Sequence, residues 1–176
     1  IRHRPDRHSV TSVLDLGTGS GCLVLAALSE YPQAFGVGID RAERTAKQAQ
    51  KNAALNNLAS RADFVVADWG DPLHTRFDVI LSNPPYIPKD DIPGLMKDVV
   101  AYEPGAALDG GNDGLDAYRQ IIPRLTELLE PRGLAILEFG IGQEQDVAGI
   151  ARKAKLSVVE LCPDLAGIIR AIVLSR

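Results

Sequence analysis

Short apolar runs alternate with helical patterns along most of this chain, and that alternation constrains the fold more than any other feature. Val10 to Leu16 and Ala34 to Asp40 read as strands, separated by a helical pattern over Ser20 to Glu30 that glycines open and Pro32 stops. Ala42, Ala46, Ala49 and Ala53 recur at helical spacing, so about Arg41 to Asn56 is predicted as a helix whose small-residue face packs close to a sheet. Ala62 to Val66 is a third strand. Phe77 to Ser82 is a fourth, apolar enough to predict burial on both faces. Leu115, Tyr118, Ile121, Ile122, Leu125 and Leu129 mark an amphipathic helix, Gly133 to Phe139 a fifth strand, and Gln143 to Ala154 another helix. Ser157 to Cys162 and Ile168 to Leu174 read as two last strands, antiparallel because only a short loop joins them. The expectation is an α/β fold: a mostly parallel seven-stranded sheet with an antiparallel C-terminal hairpin and helices on both faces.

The length of 176 residues suits one domain. Residues 10–176 are assigned to it, and residues 1–9 to a remnant of a linker or preceding segment. A net charge of -4 and a pI of about 5.4 argue against non-specific nucleic-acid binding, which needs cations to neutralise phosphates. Cys22 and Cys162 lie in apolar stretches without C-x-x-C spacing, so both are expected as buried thiols in a reducing compartment. His3, His8 and His74 show no metal-ligand spacing, and no metal is expected. No apolar run reaches the roughly 18 residues that span a membrane, and no signal peptide is visible. A cytoplasmic protein with no membrane partner is expected.

Asp15-Leu16-Gly17-Thr18-Gly19-Ser20-Gly21 follows the first strand and opens a helix. Glycines there permit a tight turn and close approach of a ligand to the backbone. The spacing is G-x-G-x-G rather than the dinucleotide G-x-G-x-x-G. Asp40 ends the second strand, where a carboxylate can accept two hydrogen bonds from a ribose diol. At this point NAD and S-adenosylmethionine both fit. Asp68-Trp69 follows the third strand; Asp68 can accept from an adenine amino group, with Trp69 beside it. Negative charge at Asp15, Asp40 and Asp68 favours a cationic sulfonium over a diphosphate, which it would repel.

Asn83-Pro84-Pro85-Tyr86 directly follows the fourth strand. An amide or exocyclic amine nitrogen is a weak nucleophile because its lone pair is delocalised. Two acceptors aimed at its N–H bonds hold it and stabilise developing positive charge. Asn83 offers a side-chain carbonyl and Pro84 a backbone carbonyl, while consecutive prolines stiffen the loop and Tyr86 can stack on a planar group. Residues 83–113 are otherwise rich in proline and glycine, with a possible helical turn near Leu95 to Val100. Gly110, Gly111 and Gly114 are expected as hinges that let this segment close over the site, and Glu138 as a residue that orients nearby backbone.

With these motifs the chain resembles the class I S-adenosylmethionine-dependent methyltransferases of the N-P-P-Y type. More narrowly, it resembles the protein-(glutamine-N5) methyltransferases of the HemK/PrmC family. The matching stretches are DLGTGSG at 15–21, ADWGDPL at 67–73, FDVILSNPPYIP at 77–88, YEPGAALDGGNDGLDAYRQII at 102–122 and DLAGIIRAIVLSR at 164–176. The resemblance implies a Rossmann-like fold, with S-adenosylmethionine as cofactor and S-adenosylhomocysteine as product. It places Asp15, Gly17, Thr18, Gly19, Gly21, Asp40, Arg41, Asp68, Trp69 and Asn83 around the cofactor. Asn83, Pro84, Pro85 and Tyr86 would hold the acceptor, with Asn83, Pro84 and Tyr86 catalytic. The implied substrate is the GGQ glutamine of class 1 peptide chain release factors, modified by a monomer, with no nucleic acid as direct substrate.

Glutamine of a large-subunit ribosomal protein is the nearest alternative substrate, and adenine-N6 of nucleic acid a more distant one. A non-catalytic nucleoside-binding domain is the alternative from another class; the intact Asn83 and Tyr86 argue against it. The family also carries an N-terminal helical domain that grips the release factor, which is expected to be absent here. Its R-P-E segment resembles Arg4-Pro5-Asp6, which predicts missing residues between Asp6 and Ser9.

Overall fold

The computed structural model describes residues 3, 6–69, 71, 73–94 and 105–176. The helical turn expected near Leu95 to Val100 lies outside them. Seven strands form one sheet in the order β3-β2-β1-β4-β5-β7-β6. They are β1 (Ser12–Leu16), β2 (Phe35–Asp40), β3 (Ala62–Val66), β4 (Phe77–Ser82), β5 (Leu129–Glu138), β6 (Ser157–Pro163) and β7 (Ile169–Ser175). Strands β1 to β5 pair in parallel, and β7 runs antiparallel to both β5 and β6, as the short connection between the last two strands requires.

Among the described residues, four helices of nine residues or more cover the sheet: α1 (Cys22–Glu30), α2 (Glu43–Leu55), α3 (Asp116–Leu128) and α4 (Glu144–Lys153). Side chains alternate across the sheet. Val13 and Val79 join Val24, Leu25, Leu28 and Ala53 on the α1 and α2 face. Leu14, Leu16 and Ile80 join Tyr118, Ile121, Ile122 and Leu125 on the other, with Val147 and Ala151 of α4. β4 is buried on both faces, as its apolar run predicts.

The differences from expectation are local. α2 begins at Glu43, and Ala42 is an exposed cap residue, leaving Ala46, Ala49 and Ala53 as the buried small face. β5 begins at Leu129, four residues before Gly133, because Leu129 pairs with Phe77 across a register shift that no side-chain period reveals. Cys22 is exposed and Cys162 half-buried, so neither is the buried thiol expected. Helix α1 turns Val24, Leu25 and Leu28 inward and leaves Cys22 and Leu23 outside, a choice of face that an apolar sequence run does not disclose. Asp6 accepts hydrogen bonds from His8 and Ser9, forming a turn that leads into β1. Among the described residues, no helix is long and apolar enough to cross a membrane.

Leu125 is fully buried in α3, while Leu55 at the end of α2 is 80% exposed. Leu125→Ala is expected to cost about 2–5 kcal/mol in urea unfolding, and Leu55→Ala less than about 0.5 kcal/mol.

Candidate functional site

The carboxyl ends of β1 to β4 bring the sequence motifs together. Leu16 of β1 lies opposite Ser82 of β4, and the Ser82 hydroxyl donates to the Leu16 carbonyl at 2.8 Å. The glycine loop and Asn83 therefore leave neighbouring strands at the same level. Asp40 of β2 lies opposite Val66 of β3, two residues before Asp68, and the Ala67 N–H donates to the Asp40 carbonyl. Ligands of open α/β sheets bind at such carboxyl ends, where the order of strands reverses. Here the reversal lies between β1 and β4.

Within the glycine loop Gly17, Gly19 and Gly21 all have φ between 55° and 85°, the left-handed region where a Cβ is strained. The Thr18 N–H reaches the Ile39 carbonyl at 2.8 Å, which ties the loop to β2. The Asp40 carboxylate accepts from the N–H groups of Gly19 and Ala42, at 3.0 and 2.9 Å. Asp40 therefore fixes the loop and retains lone pairs for a further donor. A Cβ built on Gly19 would meet nothing within 4 Å, so space stands open above the loop. The Trp69 ring lies against the loop, its Cζ3 3.2 Å from where a Cβ on Gly17 would sit. Asp68 and Arg41 are exposed at the rim.

Asp15 is fully buried beneath this loop. Its Oδ2 accepts from the Thr18 hydroxyl at 2.7 Å and the Val24 N–H at 3.3 Å, while Oδ1 has no partner among the described residues. Burial pushes its carboxyl up to about 6; the Thr18 and Val24 bonds pull the other way, and nearby Asp40 adds to the rise. An orphaned carboxylate oxygen, a second carboxylate at Asp40 and an open glycine loop suit a ligand with cationic and hydroxyl groups. They do not suit a diphosphate.

Asn83 is exposed, Pro84 buried, and Pro85 and Tyr86 half-buried. Two distant segments hold this turn. The Gln143 side chain donates to the carbonyls of Tyr86 at 3.0 Å and Gly114 at 3.4 Å, and accepts from the Gly140 N–H at 2.8 Å. Ile87 pairs with Asp109 in a short parallel bridge: its N–H donates to Leu108, and its carbonyl accepts from Gly110. A Cβ on Gly110 or Gly114 would come within 2.9 or 2.4 Å of Tyr86 backbone atoms. Gly110 and Gly114 are points of close contact with the Tyr86 backbone, and backbone bonds join Leu108, Gly110 and Gly111 to Ile87 and Lys89. Asp113 accepts from the Leu115 N–H at the start of α3 and pairs with Arg119, which holds its carboxyl down at about 2. The Tyr118 hydroxyl donates to the Glu138 carbonyl at 2.7 Å.

Glu138 touches Tyr86 through its side chain rather than orienting backbone alone, and Arg170 joins it there. Arg170 and Gln143 were not visible as site residues in the sequence. Their one signal is a charged or amide side chain standing in an apolar or glycine-rich stretch. Among the described residues no group of His, Cys, Asp and Glu is placed to hold a metal ion. A concavity of about 820 Å³ opens at the opposite end of the sheet, beside Ser12, Asp78 and Arg132, away from every motif above.

The buried Asp15 has a consequence for stability. Below about pH 4 it is protonated in folded and unfolded chains alike and costs nothing. Between about 4 and 6 the unfolded chain ionises first, so stability falls as pH rises, and the full penalty of about 3 kcal/mol stands above pH 6. Asp15→Asn is expected to gain stability over the wild type from pH 4 to pH 7.5 in urea unfolding. A difference independent of pH would contradict this.

The release factor glutamine methyltransferase of Rhodospirillum rubrum is 46% identical over 164 residues, which are 93% of this chain and 50% of that protein. The chain thus spans about half the length of the curated relatives it matches. Ribosomal protein L11 methylase from Lactobacillus delbrueckii subsp. bulgaricus superposes with a TM-score of 0.73 at 18% identity, over 99% of this chain and 74% of that one. An O-methyltransferase from neocarzinostatin biosynthesis, solved with S-adenosylmethionine, superposes with a TM-score of 0.62 at 19% identity, over 97% of this chain and 50% of that one. At such identities these two structures speak for the fold. A methyltransferase domain profile matches residues 7–155, which takes in the glycine loop, Asp40, Asp68 and the Asn83 turn, and the chain belongs to that methyltransferase domain family.

Proposed function

We propose that this chain is the catalytic domain of an S-adenosylmethionine-dependent methyltransferase that modifies the side-chain amide N5 of the GGQ glutamine in class 1 peptide chain release factors. The observation that carries this reading is the β1–β4 register. It sets Asn83-Pro84 beside the glycine loop, so that an acceptor amide and a nucleoside cofactor can meet. The relatives named release factor glutamine methyltransferase support the choice of acceptor.

When bound, S-adenosylmethionine supplies a methyl group activated by its cationic sulfur. Gly17, Thr18, Gly19 and Gly21 would line it, Asp40 would accept from its ribose with Arg41 alongside, and Asp68 and Trp69 would border its adenine. The unpartnered Asp15 oxygen offers a buried negative charge below. Asn83 and Pro84 would accept the two N–H bonds of the glutamine amide, stiffened by Pro85, while Tyr86 packs on its plane. These acceptors orient the nitrogen lone pair and stabilise the charge that develops there. A strong general base is unnecessary, because the nitrogen becomes acidic only once it is cationic and then gives up its proton to solvent water, which reaches the exposed Asn83. The enzyme acts as a monomer in the cytoplasm.

Asn83→Ala is expected to retain S-adenosylmethionine binding in calorimetry and to lose about 100-fold or more in methyl transfer. Offering release factor, ribosomal protein and DNA in parallel, with labelled cofactor, tests the substrate. Label is expected on the release factor glutamine, and label on DNA alone would overturn the reading.

A further inference from the structure

Tyr86 meets two charged side chains that the amide clamp does not use. Arg170 of β7 donates from Nη2 to the Tyr86 hydroxyl at 2.9 Å, and its guanidinium carbon lies 5.3 Å from the centre of the Tyr86 ring. The hydroxyl donates a longer bond to Glu138 Oε1 at 3.4 Å, and the same carboxylate oxygen lies 3.5 Å from Arg170 Nη2. The phenol is thus an acceptor from a cation and a donor to an anion, which fixes its hydroxyl as well as its ring. The Arg170 and Glu138 side chains are 24% and 38% exposed, so water screens the triangle only in part.

The fold does not need the Arg170 side chain for pairing. Its backbone carbonyl accepts from the Phe139 N–H at 2.9 Å, a bond indifferent to what stands at Cβ. A guanidinium in the apolar run Ile168 to Leu174 calls for another reason, and the Tyr86 ring is what it touches.

We infer that Arg170 and Glu138 are positioning residues that lock the Tyr86 ring, and so set the plane in which the acceptor amide is presented. The inference rests on the reading of Asn83 to Tyr86 as the acceptor site. A ring anchored only by its Cβ can tilt, and small misplacements of a reacting group cost large factors in rate. Arginine suits the task because its planar fork can lie along the ring and still reach the hydroxyl.

The test is a double-mutant cycle in the full-length protein with Tyr86→Phe, Arg170→Gln and the pair, read as kcat for release factor methylation, with S-adenosylmethionine affinity alongside. Each single change is expected to lower kcat about tenfold, with cofactor affinity unchanged. The double variant should be no slower than the slower single, because Arg170 acts through the Tyr86 hydroxyl. Losses that multiply, or a loss that follows cofactor affinity and Tm, would overturn the inference. A second readout needs no turnover. With 3-fluorotyrosine incorporated, the fluorine resonance absent from Tyr86→Phe should shift in Arg170→Gln, and an unmoved resonance would also overturn the inference. If the wild type modifies no release factor, the substrate reading fails and the fluorine result alone decides the positioning.

Discussion

Parallel pairing of β1 with β4 sets the position of everything that follows those strands. Both strands are buried, so a slip of one residue would turn every side chain to the wrong face. The Ser82 hydroxyl adds a bond to the Leu16 carbonyl at the very end of the pair, where the ladder would otherwise fray. Gly17 and Asn83 then emerge together. β2 and β3 add Asp40 and Asp68 at the same edge, and the Thr18 N–H bond to Ile39 carries the coupling across the sheet.

Two carboxylates divide the work in the glycine loop. Asp40, half exposed, accepts from two backbone N–H groups and holds the loop's shape. Asp15, fully buried, lacks a partner on one oxygen and is held away from its ordinary ionisation by burial. A buried carboxylate with an unmet lone pair lowers stability at neutral pH, and such costs gather at ligand sites.

The strands, both helix layers and the four motifs were legible because each is a local pattern: a period of two, a period near 3.6, or a turn chemistry confined to a few residues. What the sequence hid was long-range. Arg170 lies 84 positions from the Tyr86 hydroxyl it bonds, and Gln143 lies 57 from the Tyr86 carbonyl. Neither distance leaves a periodic trace. Glycine permits both motion and close contact, and only the position of the Tyr86 backbone reveals the close contact that Gly110 and Gly114 make. The exposure of Cys22 is hidden for a similar reason, since an apolar helix does not announce which of its sides faces the sheet.

In the function proposed, the carboxyl end of the sheet holds the cofactor and the acceptor amide side by side. A crystal structure of the protein with S-adenosylhomocysteine and a glutamine peptide tests it most directly. The ribose hydroxyls are expected on Asp40 and the amide nitrogen between the Asn83 side-chain carbonyl and the Pro84 backbone carbonyl. A ribose elsewhere, or a glutamine bound away from Asn83, would contradict it.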